Sequence, residues 1–265
     1  MHPMLNTAIK AARRAGSVIM RHLDRLERVV IETKGPNDFV TEVDRMAEAE
    51  IIGVLRSAYP NHAILGEESG SHAGNDYRWI IDPLDGTTNF LHGLPQFSVS
   101  VALQHRDRLD QAVVFDPFRN ELFTASRGDG AQMNERRIRV SQMKDLDRAL
   151  LGTGFQFKSS EELDVWLKML GAIIPKSSAI RRPGSAALDL AYVACGRYEG
   201  FWEFGLSAWD MAAGCLLVQE AGGMVSDFFG DQRFLDTGHV VAANPKIHPQ
   251  ILACIQPHVP AAFPR

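Results

Sequence analysis

The chain has 265 residues, a formal net charge of −4 and 45% hydrophobic residues. That length suits one large domain or two small ones sharing a core, while the acidic balance argues against broad electrostatic binding to nucleic acid or anionic lipid. No apolar run reaches the length of a membrane span. The three cysteines (Cys195, Cys215, Cys254) lack Cys-x-x-Cys spacing, which points to a reducing, cytoplasmic setting rather than a disulfide framework or zinc ribbon.

The start, Met1-His2-Pro3-Met4-Leu5-Asn6, has no basic stretch leading into an apolar core and does not read as a secretory signal. Residues 4–26 carry Leu5, Ile9, Ala12, Val18, Ile19, Leu23 and Leu26 at helical spacing, with Gly16 weakening the pattern slightly. Lys34-Gly35-Pro36-Asn37-Asp38 is turn chemistry and predicts a loop. A second helix opens at Thr41 and stops before Pro60, with Ala47, Ile51, Ile52 and Leu55 facing a core. Short strands follow at Ala63–Leu65, Tyr77–Ile81, Phe97–Gln104, Gln111–Phe115 and Glu121–Ala125. Tight turns at His105–Arg108 and Pro117–Asn120 predict an antiparallel meander, with the two helices covering one face.

Around Val140–Arg148 the pattern turns charged and irregular, which marks a seam between residues 1–145 and 146–265. Beyond it come a strand at Leu150–Thr153, a helix at Glu161–Ile174, a small-residue helix at Ser185–Cys195 and an aromatic strand at Tyr198–Glu203. A helix at Ala208–Ala221 ends on Gly222-Gly223. Strands at Met224–Phe228 and His239–Ala243 and a short helix at Pro249–Gln256 finish the chain. Helices and strands alternating in this way predict stacked sheets and helix pairs.

The chemistry concentrates in four acidic stretches. The densest is Asp82-Pro83-Leu84-Asp85-Gly86-Thr87-Thr88-Asn89-Phe90, which follows a predicted strand. Two carboxylates that close repel each other, and a divalent cation with oxygen ligands such as Mg²⁺ is the simplest compensation. Gly86 permits a turn other residues resist, and Thr87 and Thr88 offer N–H groups and hydroxyls to a phosphate. Asp-Gly alone reads as an ordinary turn; the nine-residue string does so much less. Gly66-Glu67-Glu68-Ser69-Gly70 follows another strand and alone reads as a solvated loop. Asp210, in Ala208-Trp209-Asp210-Met211, reads equally as a helix N-cap. Asp44, in Asp38-Phe39-Val40-Thr41-Glu42-Val43-Asp44, sits where an N-cap Thr favours acidic first-turn residues.

Other hydrolase chemistries are excluded. No cysteine precedes an arginine by six positions, and the paired aspartates are three apart rather than two. There is no Gly-x-Ser-x-Gly elbow and no Gly-Lys-Ser/Thr phosphate loop.

Taken together, Gly66-Glu67-Glu68-Ser69, the Asp82–Phe90 string and Trp209-Asp210-Met211-Ala212-Ala213-Gly214 resemble the inositol monophosphatase family, in the family's order. The resemblance extends through Gly184–Ala191 and Glu220-Ala221-Gly222-Gly223 and covers nearly the whole chain. The first six residues and the segment around Ala186–Ala194 are most like the bacterial SuhB branch. Thr87-Thr88-Asn89-Phe90 looks like the inositol phosphate branch rather than the nucleotide-bisphosphate or fructose-bisphosphatase relatives.

The resemblance implies an α+β fold, a layered αβαβα sandwich of two sheets with helix pairs. It implies a Mg²⁺-dependent phosphomonoesterase with two or three ions, acting on inositol 1-phosphate and inhibited by lithium. Glu67, Asp82 and the Leu84 carbonyl match the ligands of a first ion. Asp82, Asp85 and Asp210 match those of a second, and a third, weaker ion sits near Glu67. Asp44 and Thr87 match the residues that position and deprotonate the attacking water, and Glu67 is counted with them as catalytic. Gly86, Thr87 and Thr88 match phosphate contacts, and Ala186, Glu203 and Asp210 match the remaining substrate contacts. Lys34 and the glycine-proline loop beside it are expected to form a mobile flap over the site. The resemblance also suggests a homodimer through the Lys176–Pro183 region. The SuhB branch adds another possibility: transcription antitermination through RNA polymerase and Nus-factor partners, with catalysis dispensable.

Overall fold

Alternating strands build a sheet whose two faces both carry helices. The structure, a computed structural model, describes residues 2–26, 31–35, 38–155 and 160–264. Helix α1 (Pro3–Leu23) has Pro3 in its first turn, and the His2 ring accepts the Met4 N–H at 3.3 Å. Its buried stripe is largely alanine. At Gly16 a Cβ would come within 2.6 Å of the Phe115 ring, so the glycine lets the helix lie close against the sheet. That close approach is set against a helix-propensity cost of about 1 kcal/mol.

Strands β1 (Ile31–Gly35) and β2 (Asp38–Thr41) pair antiparallel. Lys34 and Gly35, expected in a loop, end β1, and Asp38 begins β2. Pro36 and Asn37, the rest of the expected loop and flap, lie outside the described residues. Thr41 is the N-cap of helix α2 (Glu42–Ala58), as the acidic first turn after it predicted.

Next come β3 (Ala63–Gly66), β4 (Gly70–His72), β5 (Tyr77–Asp85) and the five-residue helix α3 (Thr87–Leu91). Then follow β6 (Ser98–His105), β7 (Arg108–Asp116), β8 (Glu121–Ser126), β9 (Gly130–Met133) and β10 (Arg136–Arg137). The strands from β3 to β10 form one sheet in the order β10-β9-β8-β7-β6-β5-β3-β4. From β5 to β10 the neighbours are antiparallel, as the meander predicted. Strand β3 departs from it and runs parallel to β5, because the return strand β4 lets the chain re-enter in the same direction. Both β3 and β5 therefore deliver their C-terminal residues to the same rim.

The period-two alternation of these strands sorts side chains onto two faces. Trp79, Ile81, Val99, Val101, Val113 and Phe115 pack against α1 and α2. Ile80, Ala102, Ala112, Val114 and Phe123 face the opposite way into the central core.

The second half begins with β11 (Leu150–Thr153), α4 (Ser160–Ile173), β12 (Ala179–Arg181), α5 (Ala186–Ala194) and β13 (Gly200–Phe204). Helix α6 (Ala208–Glu220), β14 (Met224–Ser226), α7 (Phe234–Thr237), β15 (His239–Ala243) and α8 (His248–Ile255) complete it. Its sheet, ordered β12-β11-β13-β15-β14, mixes parallel and antiparallel pairs. Helices α5 and α6 are apolar nearly all round because they lie between the two sheets. Trp166 and Met169 of α4 and Ile251 of α8 pack with Trp202 on the outer face of the second sheet. The layers are thus α1/α2, sheet, α5/α6, sheet, α4/α8, an α+β sandwich. Among the described residues no helix is long and apolar enough to cross a membrane.

Candidate active site

Asp82 and Asp85 are three residues apart, a spacing that sends side chains to opposite faces of a regular strand. Here it does not. Asp82 stands opposite Ser100 and Asp85 opposite Ser98, so three steps on β5 match two on β6. The extra residue makes a bulge at Pro83-Leu84, a place where proline is tolerated within a sheet. The bulge turns both carboxyl groups toward α5 and α6. Ser185 Oγ donates to Asp85 Oδ2 at 2.6 Å, and the Ala187 N–H reaches the same oxygen at 2.8 Å. Asp85 is therefore also the group that seats the start of α5.

The other acids arrive from three directions. Glu67 follows β3, and its N–H bonds the Ile81 carbonyl at 3.1 Å, which fixes it beside the end of β5. Asp210 is the third residue of α6, and its Oδ2 accepts the Ser207 N–H at 2.7 Å. Asp44 is the third residue of α2 and is 1% exposed. Its Oδ2 accepts from the Thr41 N–H at 2.8 Å and the Thr41 hydroxyl at 2.5 Å. The acidic first turn expected beside a Thr N-cap is present at Asp44, whereas Asp210 is not the N-cap that the sequence offered: Ser207 is, and Asp210 closes its capping box from the third position. At Asp44 the capping leaves Oδ1 to accept the Thr87 hydroxyl at 2.9 Å. Thr87 Oγ1 also lies 3.1 Å from the Leu84 carbonyl, so its single proton has two acceptors to choose between.

Gly86 occupies the left-handed region at φ 101°, where a Cβ would press on the Gln96 carbonyl at 2.8 Å. Only glycine suits that position, and it starts α3 with Thr87 half-buried and Thr88 exposed. Ala186 opens α5, and Glu203 lies on β13 with its carboxyl against Gly154.

The electrostatics follow from burial. Asp82 is 2% exposed; burial, then the Glu67, Asp85 and Asp210 carboxylates, hold it well above the ordinary carboxylate range. Burial likewise pushes Asp85 up to about 6 against its Ser185 and Ala187 hydrogen bonds. Burial, then Asp210, push Glu203 up to about 8. Asp44 is raised by burial and pulled back by its Thr41 and Thr87 bonds. Mutual repulsion among buried oxygens is the condition a hard divalent cation relieves, and this donor set contains no nitrogen or sulfur. Among the described residues no three of these side chains already converge on one ion-sized point. Backbone N–H groups nevertheless hold one oxygen each of Asp82 (Leu84, 3.0 Å), Asp85 and Asp210 in fixed orientations. The residues present fit Mg²⁺.

Three supporting residues escaped the sequence reading. Glu48 on α2 is 2% exposed and accepts the Glu68 and Ser69 N–H groups at 3.0 and 2.8 Å, pinning the turn that carries Glu67. Its signal was a charge among the buried positions of an amphipathic helix. Ser185 gave none beyond N-cap chemistry. The Asn89 amide donates to the carbonyls of Gln96 at 2.7 Å and Pro183 at 2.8 Å, tying the threonine turn to the loop before α5.

This arrangement has relatives. The chain is 56% identical to a Pseudomonas aeruginosa protein named Nus factor SuhB, over all of both sequences. The crystal structure of the extragenic suppressor protein SuhB from Bartonella henselae superposes with a TM-score of 0.94 at 41% identity, covering 97% of this chain and 100% of that one. The inositol monophosphatase of Anabaena gives a TM-score of 0.83 at 37% identity, over 98% and 97%. The sequence profile of the inositol monophosphatase family matches residues 1–259. With fold, motifs and full-length likeness in agreement, the chain belongs to the inositol monophosphatase family.

Proposed function

We propose that this chain is a Mg²⁺-dependent phosphomonoesterase that hydrolyses inositol 1-phosphate and related small phosphate monoesters. One observation carries the reading: a buried aspartate, Asp82, whose strongest charged neighbours are three more carboxylates. In this reading Glu67, Asp82 and the Leu84 carbonyl would hold one Mg²⁺. Asp82, Asp85 and Asp210 would hold a second, with a weaker third near Glu67. Bound Mg²⁺ neutralises phosphoryl charge, acidifies a water and stabilises the leaving alkoxide.

The chain's own residues do the rest. Thr87 Oγ1 accepts a proton from the attacking water while its own proton passes to Asp44 Oδ1, 2.9 Å away. Thr41 holds the far oxygen of Asp44 so that the receiving oxygen stays aimed at Thr87. Gly86 and the amides of Thr87 and Thr88 cradle the phosphate, and Ala186, Glu203 and Asp210 face the alcohol. Residues 1–145 supply most of the ligands, and residues 146–265 supply Asp210 and the substrate contacts. Lithium at the second ion position inhibits turnover. The chain works in the cytoplasm as a homodimer, for which β12, the edge strand of its sheet, is the natural contact. Phosphate release from inositol 1-phosphate, followed with Mg²⁺ and then with EDTA, tests the reading. Turnover that needs the metal is expected, and turnover indifferent to chelation sinks it.

The name of the Pseudomonas relative favours a second role. In it the chain acts in transcription antitermination through RNA polymerase and Nus-factor partners, without need of catalysis. A strain lacking the chain separates the two. Rescue of growth by Asp82→Asn supports the partner role; rescue by the wild type alone assigns the growth role to catalysis.

A further inference from the structure

Two buried carboxyl groups stand beside the ion sets without belonging to them. Glu203 on β13 is 5% exposed, and Asp189, one turn into α5, is 1% exposed. Asp189 does not cap its helix. Its N–H makes the ordinary helical bond to the Ser185 carbonyl at 3.0 Å, and its Oδ1 is buried without any hydrogen-bond partner. Only that oxygen of the pair is sealed from solvent without a partner. Glu203 is the strongest like charge acting on Asp189, and no hydrogen bond enters the balance at either group. Arg182 is the one cation acting on both, but its guanidinium is engaged elsewhere, 3.3 Å from the Phe155 carbonyl and 4.4 Å above the Phe155 ring. At Gly154 a Cβ would lie 2.1 Å from Glu203 Oε2, so the absence of a side chain there is what leaves room for the Glu203 carboxyl.

A buried acceptor left without a donor costs about 1–3 kcal/mol. Here that acceptor is Asp189 Oδ1, with the buried Glu203 carboxyl as its strongest charged neighbour. Hydroxyl groups on adjacent carbons of a substrate each bring one donor, one for Asp189 and one for Glu203. A plain alkyl or aryl ester brings none. We propose that Asp189 is a specificity-determining residue of this site, accepting together with Glu203 the hydroxyl groups of a polyol phosphate. The assignment rests on the phosphomonoesterase reading above and adds a residue and a substrate preference to it.

Steady-state kinetics on inositol 1-phosphate and p-nitrophenyl phosphate, with Mg²⁺, test it in the full chain. In Asp189→Ala the ratio of kcat/KM for the polyol ester to that for the aryl ester falls about tenfold, through KM rather than kcat. Asp189→Asn keeps one acceptor oxygen and lowers the ratio only about threefold. A loss shared equally by both esters marks a structural role and overturns the assignment, as does a ratio that does not move. Should Asp189→Ala fail to fold, the Asp189→Asn ratio decides alone. The two readings fail differently. A wild-type protein that releases phosphate from neither ester overturns both, whereas one that cleaves both esters without preference for the polyol overturns only the role of Asp189.

Discussion

The sheet treats its acidic residues in opposite ways at different places. Far from the site, Asp76 meets Arg106 at 3.2 Å, and Asp110 meets Arg127 at 3.5 Å. Near the site, Asp116 is fully buried and has Arg119 at 2.8 Å. Asp82 is buried to almost the same degree, yet the groups acting on it most strongly are Glu67, Asp85 and Asp210. The chain can supply a guanidinium to a buried carboxylate and does so at Asp116. That it surrounds Asp82 with more acids leaves the charge to a proton or, in the reading proposed above, to Mg²⁺.

Breaking this contrast at its centre has the largest expected effect. Asp82→Asn removes the charge shared by both proposed ion sets. It is expected to lower kcat at least a thousandfold, on the order of 4 kcal/mol, while the circular dichroism spectrum stays that of the wild type. Near wild-type turnover of inositol 1-phosphate by this variant contradicts the contrast directly.

A second test reads stability rather than rate. In metal-free protein, burial raises Asp85 to about 6 and Glu203 to about 8, so both hold protons more tightly folded than unfolded. Such groups favour the folded state at low pH, and that advantage is lost as pH rises from the unfolded carboxylate range through those raised values. The melting temperature in EDTA is therefore expected to fall between about pH 5 and pH 8. The increment on adding Mg²⁺ is expected to grow as Asp82 and Asp85 lose their protons, because ions and protons compete for their oxygens. A Mg²⁺ increment flat with pH would separate the metal from these carboxylates.

The smallest effect belongs to the far end. The side chains of Asp76 and Arg106 are 66% and 73% exposed, so Arg106→Ala is expected to change unfolding free energy in urea by no more than about 0.5 kcal/mol. A large loss there makes the two regions less different than their geometry implies.

The layered fold was legible because its signals are repetitive. The alternation of Trp79 to Ile81 and of Val99 to Leu103 sorts cleanly onto two faces, and the stripe from Leu5 to Ile19 marks α1. What escaped was short or irregular. The edge strand β12 has three residues, too few for a period, and the β1–β2 pairing was masked by the turn chemistry of residues 34–38. Strand β5 was expected to stop at Ile81, since Pro83 argues against a strand interior. The bulge carries it on to Asp85, and that bulge settles where the two aspartates point. The acids themselves were legible from their motifs. The supports were not, because Glu48, Asn89 and Asp189 act through contacts distant in sequence.

The hydrogen bond from Ser185 to Asp85 spans 100 positions of chain. During synthesis on a ribosome, Glu67, Asp82 and Asp85 emerge long before Ser185 and Asp210 exist. A nascent polypeptide that ends near residue 145 thus carries only part of the proposed cage, with the Asp85 carboxyl still lacking the Ser185 and Ala187 donors that orient it. That bond cannot form before residue 185 has been made. In the proposed reading, tight ion capture is then a property of the finished polypeptide.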